Sequence, residues 1–483
     1  MNLELILKNI KVKEYHGDKN RNKFIKGISD NSLNVKSGYL FFAVKGNVVD
    51  GHNFIIDAIN NGCKVIVCTE LPSFLDKKVT YIIVENIRES ISTISSNFYK
   101  NPSKEIKIIC VTGTNGKTSI VYFLHQFFSH LNIKVGMLST IENVIDDEVL
   151  ETNLTTPSSI LINKLLRKMV SNNCDYCIME ASSHAIDQER VKGLKIDVSI
   201  LTNLTHDHLD YHKTFLNYIN AKKKLFDDLS KSSIAIINSD DKRSDYMVQN
   251  CKAKIFRYGI KSNADFKGRI VSNDISGLSI DIDSKIVHFS LIGEFNAYNI
   301  LAIYSVVNSL NFKRETVLKT LSLLKPPKGR FEIFRGNKNI IGIVDYAHTP
   351  DALLNVLRTI NKFKKGRRII TIVGAGGDRD KMKRPLMGKI ASEYSDFVIL
   401  TSDNPRFEDE MTIINEIKVG IENKKKYKII VNRKEAIHYA CDNCKNDDII
   451  LLAGKGHEKY QIINDSFFDF NERKILEKKL NKI

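Results

Sequence analysis

The sequence has no long hydrophobic run, and this excludes whole classes of membrane protein. Within its 483 residues, no apolar stretch approaches the ~20 residues that a membrane-spanning helix requires. The first 17 residues alternate apolar and charged side chains and so lack the apolar core of a secretory signal. We therefore expect a soluble, cytoplasmic protein with no membrane insertion.

Cysteine is also scarce, which limits the metal sites that the chain could build. The eight cysteines include two CxxC pairs, Cys174/Cys177 and Cys441/Cys444. The pairs would form a zinc site if they met in space, but they are far apart in the sequence. Cys177 lies in an apolar run typical of a buried strand. Free buried thiols in a reducing compartment are therefore favoured over a metal.

Acidic residues are too few to balance the basic ones. There are 73 Lys and Arg against 56 Asp and Glu, so the formal net charge is +17. A nucleic-acid-binding protein is one interpretation. The basic residues are nevertheless spread along the chain in short runs, such as 222–224 and 424–426, which are typical of solvated surfaces. We expect no nucleic-acid partner, and a positive field that attracts polyanionic substrates such as nucleotides.

Internal repeats, low-complexity tracts and long linkers are all absent, while 42% of the residues are hydrophobic, enough for more than one core. Short apolar strands alternate with amphipathic helices, which predicts an α/β fold. Turn-forming residues near 101–103 and the stiff segment 325–330 divide the chain. The predicted domains are residues 1–104, 105–330 and 331–483.

The sharpest local motif is a glycine-rich turn at 112–118, between a predicted strand (106–111) and a predicted helix (119–131). Its glycines would let backbone N–H groups surround phosphate oxygens, Lys117 would supply a point charge, and Thr118 could bind magnesium. A valine stands where the longer GxxxxGK[ST] pattern has its first glycine. The motif is therefore a shorter phosphate loop.

Two further motifs could supply metal ligands. Glu180 ends a predicted strand, and beside a phosphate loop its carboxylate would be a natural magnesium ligand. His206, His208 and His212 lie within seven residues, which suggests a metal site or a polar loop with incidental histidines. Lys222 follows on a predicted helix and by itself indicates only a charged face.

Three loops in the last block directly follow predicted strands, where ligands bind in open α/β sheets. The loop at 374–380 has Arg379 where a dinucleotide fingerprint has its last glycine, which favours an anion-binding loop. The turn at 403–406 reads Asp-Asn-Pro-Arg, a set that can hold a zwitterion because arginine grips a carboxylate with two prongs. The third loop is 454–458.

Taken in order, these motifs resemble the Mur ligase family over nearly the whole chain. The residues that carry the resemblance are TGTNGKTS (112–119), TTPSS (155–159), EASSHAIDQERV (180–191), TNLTHDHLDYH (202–212), GEFNAYN (293–299), KGRFE (328–332), DYAHTPDAL (345–353), GAGGDRDKMKRPLMG (374–388), DNPR (403–406) and GKGHE (454–458). The last four together indicate the third amino-acid-adding step of that family.

The resemblance implies a three-domain α/β protein: an N-terminal α/β substrate domain, a central P-loop-type ATPase domain with a mostly parallel sheet, and a C-terminal Rossmann-like domain. It implies ATP-dependent ligation of meso-2,6-diaminopimelate onto UDP-N-acetylmuramoyl-L-alanyl-D-glutamate through an acyl phosphate, with ATP and Mg²⁺, by a monomer. Two alternatives stay open: the same reaction with L-lysine, and a ligase similar to folylpolyglutamate synthetase.

The resemblance also implies roles for individual residues. Catalysis would depend on Lys117, Glu180, His208 and Lys222, the last as a carbamate, and the metal would be held by Thr118, Glu180, His208 and Lys222. The residues that match ATP-binding positions are Gly113, Thr114, Asn115, Gly116, Lys117, Thr118, Asn296, Arg330, Asp345 and His348. Those that match the sugar-nucleotide site are Ser32, Thr155, Thr156, Ser182, Gln188 and Arg190. Those that match the amino-acid site are Arg379, Asp403, Asn404, Pro405, Arg406, Gly454 and Glu458.

The N-terminal block departs most from the family. The family pattern Asp-Ser-Arg reads Asn31-Ser32-Leu33 here, so the usual acid and arginine are absent. Ser32 alone is expected to hydrogen-bond the uridine end.

Overall fold

A computed structural model describes residues 1–18, 20, 22–46, 49–152, 154–421 and 427–482. The basic run at 424–426 lies outside the described residues. Sheets covered by helices form the whole architecture, which confirms the predicted α/β class. None of the described helices combines the length and the apolar character needed to cross a membrane.

The first sheet has the strand order β1-β5-β4-β3-β2, parallel except for the β1–β5 pair. Its strands are β1 (Val12–Gly17), β2 (Gly27–Ser29), β3 (Tyr39–Phe42), β4 (Val65–Cys68) and β5 (Thr80–Val84), and its helices are α1 (Leu3–Ile6), α2 (Ile55–Asn60) and α3 (Ile87–Phe98). Separate apolar cores lie on its two faces.

The central sheet has the strand order β16-β15-β14-β13-β12-β11-β6-β10-β7-β8-β9. Its strands are β6 (Lys107–Thr112), β7 (Val135–Leu138), β8 (Asn143–Ile145), β9 (Glu148–Leu150), β10 (Tyr176–Glu180), β11 (Val198–Leu201), β12 (Ile234–Asn238), β13 (Lys254–Gly259), β14 (Phe266–Asp274), β15 (Gly277–Ile282) and β16 (Lys285–Phe289). Its helices are α4 (Lys117–His130), α5 (Ser159–Ser171), α6 (Ser183–Asp187), α7 (Leu209–His212), α8 (Phe215–Asp227), α9 (Ser244–Met247), α10 (Glu294–Ser309) and α11 (Arg314–Leu321).

The middle of the central sheet is parallel from β14 to β7, and antiparallel hairpins extend both ends. Strands such as β6 and β10 are buried on both faces, as their nearly continuous apolar sequences predict. Helices α4 and α10 cover one face, and α5 and α8 pack on the other. Because parallel strands end at the same edge, the loops after β6, β10 and β11 lie together.

The last sheet has the order β17-β18-β22-β19-β20-β21, parallel except for β17. Its strands are β17 (Glu332–Arg335), β18 (Ile341–Asp345), β19 (Ile369–Val373), β20 (Phe397–Leu400), β21 (Tyr427–Ile429) and β22 (Ile449–Ala453), followed by the hairpin β23 (Tyr460–Ile463) and β24 (Ser466–Asp469). Its helices are α12 (Pro350–Phe363), α13 (Lys383–Tyr394), α14 (Glu410–Lys418), α15 (Arg433–Asp442) and α16 (Glu472–Leu480).

Each sheet uses strands from only one of the three predicted domains. The domain limits 1–104, 105–330 and 331–483 themselves stay predictions. The two CxxC pairs lie in different apolar cores, and all eight cysteines are free. Helix α4 begins at Lys117, two residues earlier than predicted, because Gly116 adopts a left-handed conformation that caps it. Lys117 and Thr118 therefore belong to the first helical turn.

Candidate active site

The phosphate loop joins β6 to α4 near the middle of the central sheet. Gly113 has a φ of +140°, and a Cβ atom there would lie 1.9 Å from the hydroxyl of Thr202. Gly116 has a φ of +89°. Both positions therefore require glycine. The loop ends at the N-terminus of α4, where backbone N–H groups and the helix dipole favour an anion.

The side chain of Lys117 folds back over this loop. Its Nζ atom donates to the carbonyl oxygens of Gly113 at 3.0 Å and Thr114 at 2.7 Å. Burial lowers the pKa of Lys117, and the nearby charges of Glu180 and Asp207 oppose that shift. A cation is thus held where the phosphates of a nucleotide would lie on the loop.

Glu180 ends β10, which runs parallel to β6 with Glu180 beside Val111. Its Oε1 atom accepts from the backbone N of Thr140 at 2.7 Å and from the Thr140 hydroxyl at 3.0 Å. Its Oε2 atom is buried and has no hydrogen-bond partner among the described residues. A buried carboxylate oxygen without a partner is costly, so this atom is suited to a bound cation.

His208 and Lys222 line the same cavity as the phosphate loop. Burial lowers the pKa of His208 to about 3, although the charge of Asp207 opposes the shift, so its imidazole is neutral near pH 7. Lys222 projects from α8 and donates to the Gly113 carbonyl at 2.8 Å. Burial, and then the charge of Lys117, hold the pKa of Lys222 well below its usual range.

These groups fit a divalent cation. Glu180 offers an unpartnered carboxylate oxygen, Thr118 a hydroxyl and His208 a neutral imidazole. Among the described residues, no group of three or more His, Cys, Asp or Glu is arranged to hold a metal ion, so a ligand set here must include other residue types. A neutral Lys222 amine is the form that adds carbon dioxide, and the product would provide carboxylate-like oxygens.

The predicted three-histidine metal site is reduced to His208, which lines the cavity described below. The ring of His206 stacks on Phe215 at 4.3 Å between ring centroids. His212 is buried against Tyr218 and His184. The spacing of the three histidines could not reveal this, because it depends on the distant residues against which each ring packs.

Arg330, which precedes β17, and residues at the end of β18 close the nucleotide side. The guanidinium of Arg330 lies over the Tyr346 ring at 4.2 Å and donates to the Thr118 hydroxyl at 3.2 Å. Burial raises the pKa of Asp345 to about 6, while Arg330 opposes the shift. Burial lowers the pKa of His348 to about 4, and its Nδ1 atom lies 2.8 Å from the Tyr346 carbonyl.

Behind the nucleotide side, Asn296 lies outside the cavity lining, and its predicted contact with ATP stays a prediction. Its side chain donates to the Ile292 carbonyl and accepts from the amide of Asn299. Asn299, one helical turn further on, lines the cavity instead. Asn296 therefore positions a neighbour from behind the cavity wall.

The 403–406 turn lies beside the 374–380 loop at the carboxyl ends of β20 and β19. Arg406 has a φ of +52°, and its Nη1 atom donates to the Gly377 carbonyl at 2.7 Å. Asn404 donates to Glu458 Oε2 at 2.9 Å. Burial lowers the pKa of Arg406, and the second cause is the charge of Arg379, so two guanidinium groups lie close together. Such a pair favours a carboxylate between them.

The predicted sugar-nucleotide residues form a connected group around the end of β10. Thr156 donates to the Glu180 carbonyl and accepts from the backbone N of Ser182. Arg190 donates to the Thr156 carbonyl at 2.9 Å and to Gln188 at 2.6 Å. Ser32 is separate from this group, buried at the start of a short 3₁₀ helix in the first block.

One cavity of about 860 Å³ joins these regions. The predicted residues that line it are Thr114, Asn115, Gly116, Lys117, Thr118, Thr155, Glu180, Ser182, His208, Lys222, Arg330, Asp345, His348, Arg379, Asp403, Asn404, Arg406, Gly454 and Glu458. The predicted residues outside its lining are Ser32, Gly113, Thr156, Gln188, Arg190, Asn296 and Pro405.

Sequence reasoning missed several residues of this cavity. Thr140 holds Glu180 but belongs to no recognised motif. Asp207 is buried, and its charge opposes the lowering of the pKa of Lys383 that burial causes. Asp207 and Lys383 lie inside the motifs at 202–212 and 374–388, but the sequence predicted no role for either. Their burial was the missing signal, and it depends on contacts between distant segments.

Family models match three successive parts of the chain. The Mur ligase family catalytic domain matches residues 24–99, the Mur ligase middle domain 111–307, and the Mur ligase glutamate ligase domain 329–456. A relative from Cytophaga hutchinsonii is 47% identical over 95% of both chains. The chain belongs to the Mur ligase family. As a Mur ligase it is an ATP-dependent enzyme that forms amide bonds, as predicted.

Relatives of this Mur ligase agree along their whole length. The Cytophaga protein and one from Phocaeicola vulgatus, 46% identical over 99% of both chains, are each named UDP-N-acetylmuramoyl-L-alanyl-D-glutamate--2,6-diaminopimelate ligase. A solved structure with the same name is 28% identical, covers 99% of this chain and 98% of its own, and superimposes with a TM-score of 0.68. The predicted fold class is thereby confirmed.

Substituting Lys117 tests the phosphate loop. We expect Lys117→Ala to lower ligation by about 10²-fold or more, because the charge acts on the transferring phosphoryl group. Phosphate release during the reaction measures the effect. Lys104→Ala, at an exposed position before β6, is the matched control and should be near wild type. Near-normal turnover of a folded Lys117→Ala variant would rule out the assignment.

Lys222 should carry a carbamate in the active enzyme, because burial favours its neutral amine. Native mass spectra should show the added mass of one carbon dioxide. Activity should depend on bicarbonate, and acetate should partly restore Lys222→Ala. Lys224→Ala, on the same helix but exposed and paired with Asp187, should respond to neither. Full activity of Lys222→Ala without any added carboxylate would contradict the prediction.

Proposed function

We propose that this Mur ligase joins meso-2,6-diaminopimelate to UDP-N-acetylmuramoyl-L-alanyl-D-glutamate, with cleavage of ATP to ADP and phosphate, during the synthesis of peptidoglycan precursors. The observation that carries the proposal is the single cavity lined by both the phosphate loop and the 403–406 turn. The names of the relatives from Cytophaga and Phocaeicola, which match the chain from end to end, support it.

The reaction has two steps. A carboxylate oxygen of the D-glutamate residue attacks the γ-phosphorus of ATP, the bond to the β-γ bridging oxygen breaks, and an acyl phosphate and ADP result. The amine of diaminopimelate then attacks the acyl carbon, phosphate leaves and the amine loses a proton. Negative charge grows on phosphoryl oxygens in the first step, and Lys117 and Arg330 are placed to stabilise it.

The metal would lie beside the same loop. Thr118, Glu180, His208 and a carbamylated Lys222 are the residues that would hold Mg²⁺, which supplies positive charge to phosphate oxygens when bound. The unpartnered Glu180 Oε2 atom supports this assignment. On the nucleotide side, Asp345 and His348 share the wall of the cavity with Arg330 and would contact ATP.

The acceptor would extend from this centre toward the first block. Thr155 and Ser182 line the cavity, and Thr156, Gln188 and Arg190 form a hydrogen-bonded layer directly behind them. The first block reaches this layer, since Asn86 and Ser92 both bond to Glu189. A sugar nucleotide lying along this path would bring its uridine end to Ser32.

The amino acid would bind between Arg379, Arg406, Asn404 and Glu458. Diaminopimelate differs from lysine by a carboxylate on the distal carbon, which Arg406 can grip bidentately. Lysine would leave this half-buried guanidinium unpaired, a loss of about 1–3 kcal/mol or more. Asp403, Pro405 and Gly454 shape the turn and the facing loop.

Two other substrates are separable by experiment. L-Lysine has no distal carboxylate, so an enzyme that uses it in place of diaminopimelate needs no side chain to bind that group. A folate-type acceptor would not contact the hydrogen-bonded residues at 180–191.

A nucleic-acid partner predicts binding that weakens steeply with salt, because phosphate contacts release counterions. The domain limits, a monomeric state and a cytoplasmic location stay predictions.

The substrate assignment can be tested with a mixture of diaminopimelate and lysine. We expect the wild-type enzyme, given ATP and UDP-muramoyl dipeptide, to yield mainly the diaminopimelate product in mass spectra. Arg406→Ala and Arg406→Lys should lower diaminopimelate use by about tenfold or more, because the bidentate grip is lost, while ATP binding is retained.

Arg335→Ala is the control, since Arg335 is exposed on β17 away from the cavity. It should leave the product ratio as in the wild type. Equal use of lysine by the wild type, or an unchanged ratio in the Arg406 variants, would overturn the assignment of specificity.

A further inference from the structure

Lys455 is a buried cation that none of the assigned roles uses. It follows Gly454 in the loop after β22, and its side chain is fully buried. Its Nζ atom donates to Asn404 Oδ1 and to Glu458 Oε2, both at 2.9 Å. In the part of the chain that the structure describes, Lys455 is not among the residues that line the cavity. Lys455 therefore reaches the cavity through the lining residues around it, first through its two hydrogen-bonded partners.

The first partner is Asn404, whose amide could otherwise adopt either of two orientations. Lys455 can only donate, and the backbone N of Ile462 also donates to Asn404 Oδ1 at 3.0 Å. Two donors on one side fix the oxygen there. The amide nitrogen is then the atom that donates to Glu458, at 2.9 Å.

The second partner is Glu458. Its Oε2 atom receives both Lys455 and Asn404, whereas no described residue donates to its Oε1 atom. Glu458 lines the cavity, so the remaining oxygen is free to accept an ammonium group. Lys455 thus fixes which oxygen of the carboxylate is offered to a ligand.

Arg433 is a second buried cation that lies close to carboxylates in this region. Arg433 is fully buried, pairs with Glu472 at 2.8 Å and approaches Asp403 Oδ2 at 3.8 Å. Although burial opposes it, the charges of Lys455 and Arg433 lower the pKa of Asp403. The carboxylate of Asp403 in the 403–406 turn is therefore kept ionised by cations from behind.

We propose that Lys455 is a positioning residue for the amino-acid substrate, which acts by fixing the Asn404 amide and the Glu458 carboxylate that contact the substrate's charged groups. This rests on the proposed function, since it deepens the assignment of the same subsite. A buried charge costs desolvation energy, and its retention here is explained by the two hydrogen bonds that it directs into the subsite.

Lys455→Met keeps the length of the side chain and removes the charge. We expect the KM for diaminopimelate to rise about tenfold or more, with the KM for ATP within about twofold of wild type, because only one subsite is disordered. Lys459→Met, at an exposed position on the same loop, is the matched control. An unchanged KM for diaminopimelate in Lys455→Met overturns the proposal.

A double-mutant cycle with Glu458→Gln separates positioning from a general loss of structure. Because Lys455 acts partly through Glu458, the two substitutions together should raise the diaminopimelate KM by less than the product of their separate effects. Additive effects would overturn the proposal. The double variant also removes the half-buried carboxylate that Lys455→Met leaves without its cation, so it carries the test if the single variant does not fold. Failure of both variants to bind ADP would assign Lys455 to folding and overturn positioning.

The wild-type enzyme distinguishes this failure from failure of the proposed function. If wild type does not use diaminopimelate, the proposed function fails whatever the variants do. If wild type uses it and the Lys455 variants match wild type, only the positioning role fails.

Discussion

The carbonyl oxygen of Gly113 accepts two lysine side chains, Lys117 at 3.0 Å and Lys222 at 2.8 Å. Two ammonium groups this close in a buried site repel each other strongly, and burial lowers the pKa of both. The repulsion falls if Lys222 loses its proton or becomes a carbamate, and if phosphate binds beside Lys117. The protonation or carbamylation of Lys222 on α8 is thereby coupled to the binding of phosphate at the phosphate loop.

The two larger sheets meet at this cluster. Loops at the carboxyl ends of β6, β10 and β11 face loops at the carboxyl ends of β18, β19, β20 and β22, so two switch-point crevices form one cavity. A contact between the two blocks holds the arrangement, since Asn115 donates to Asp351 at 2.8 Å. Within the central block, Gln126 exchanges hydrogen bonds with the backbone of Lys325. Gly329, with a φ of +67°, packs directly on Gly456. The segment 325–330 is therefore held by contacts near both of its ends.

The sequence was sufficient to predict those features that depend on neighbouring residues. The strand predicted at 106–111 is β6, shifted by one residue, and the loops that follow the strands carry the expected motifs. Features that depend on distant packing were not predictable. The spacing of His206, His208 and His212 cannot show that only one reaches the cavity, and nothing near Lys455 in the sequence shows that it is buried against Asn404, 51 residues away. Long-range burial, rather than local pattern, decides such roles.

The amino-acid pocket shows how backbone shape and charge act together. Gly376 leaves room for the guanidinium of Arg406, since a Cβ atom there would lie 3.0 Å from Nη1. Arg406 itself has a φ of +52°, which costs energy for a residue with a side chain, and hydrogen bonds with Ile462 and Asn464 on either side of it hold that conformation. The strained turn brings Arg406 close to Arg379. Each cation raises the cost of leaving the other unpaired, so the pocket favours a ligand that brings a carboxylate to the pair over one that brings only an amine.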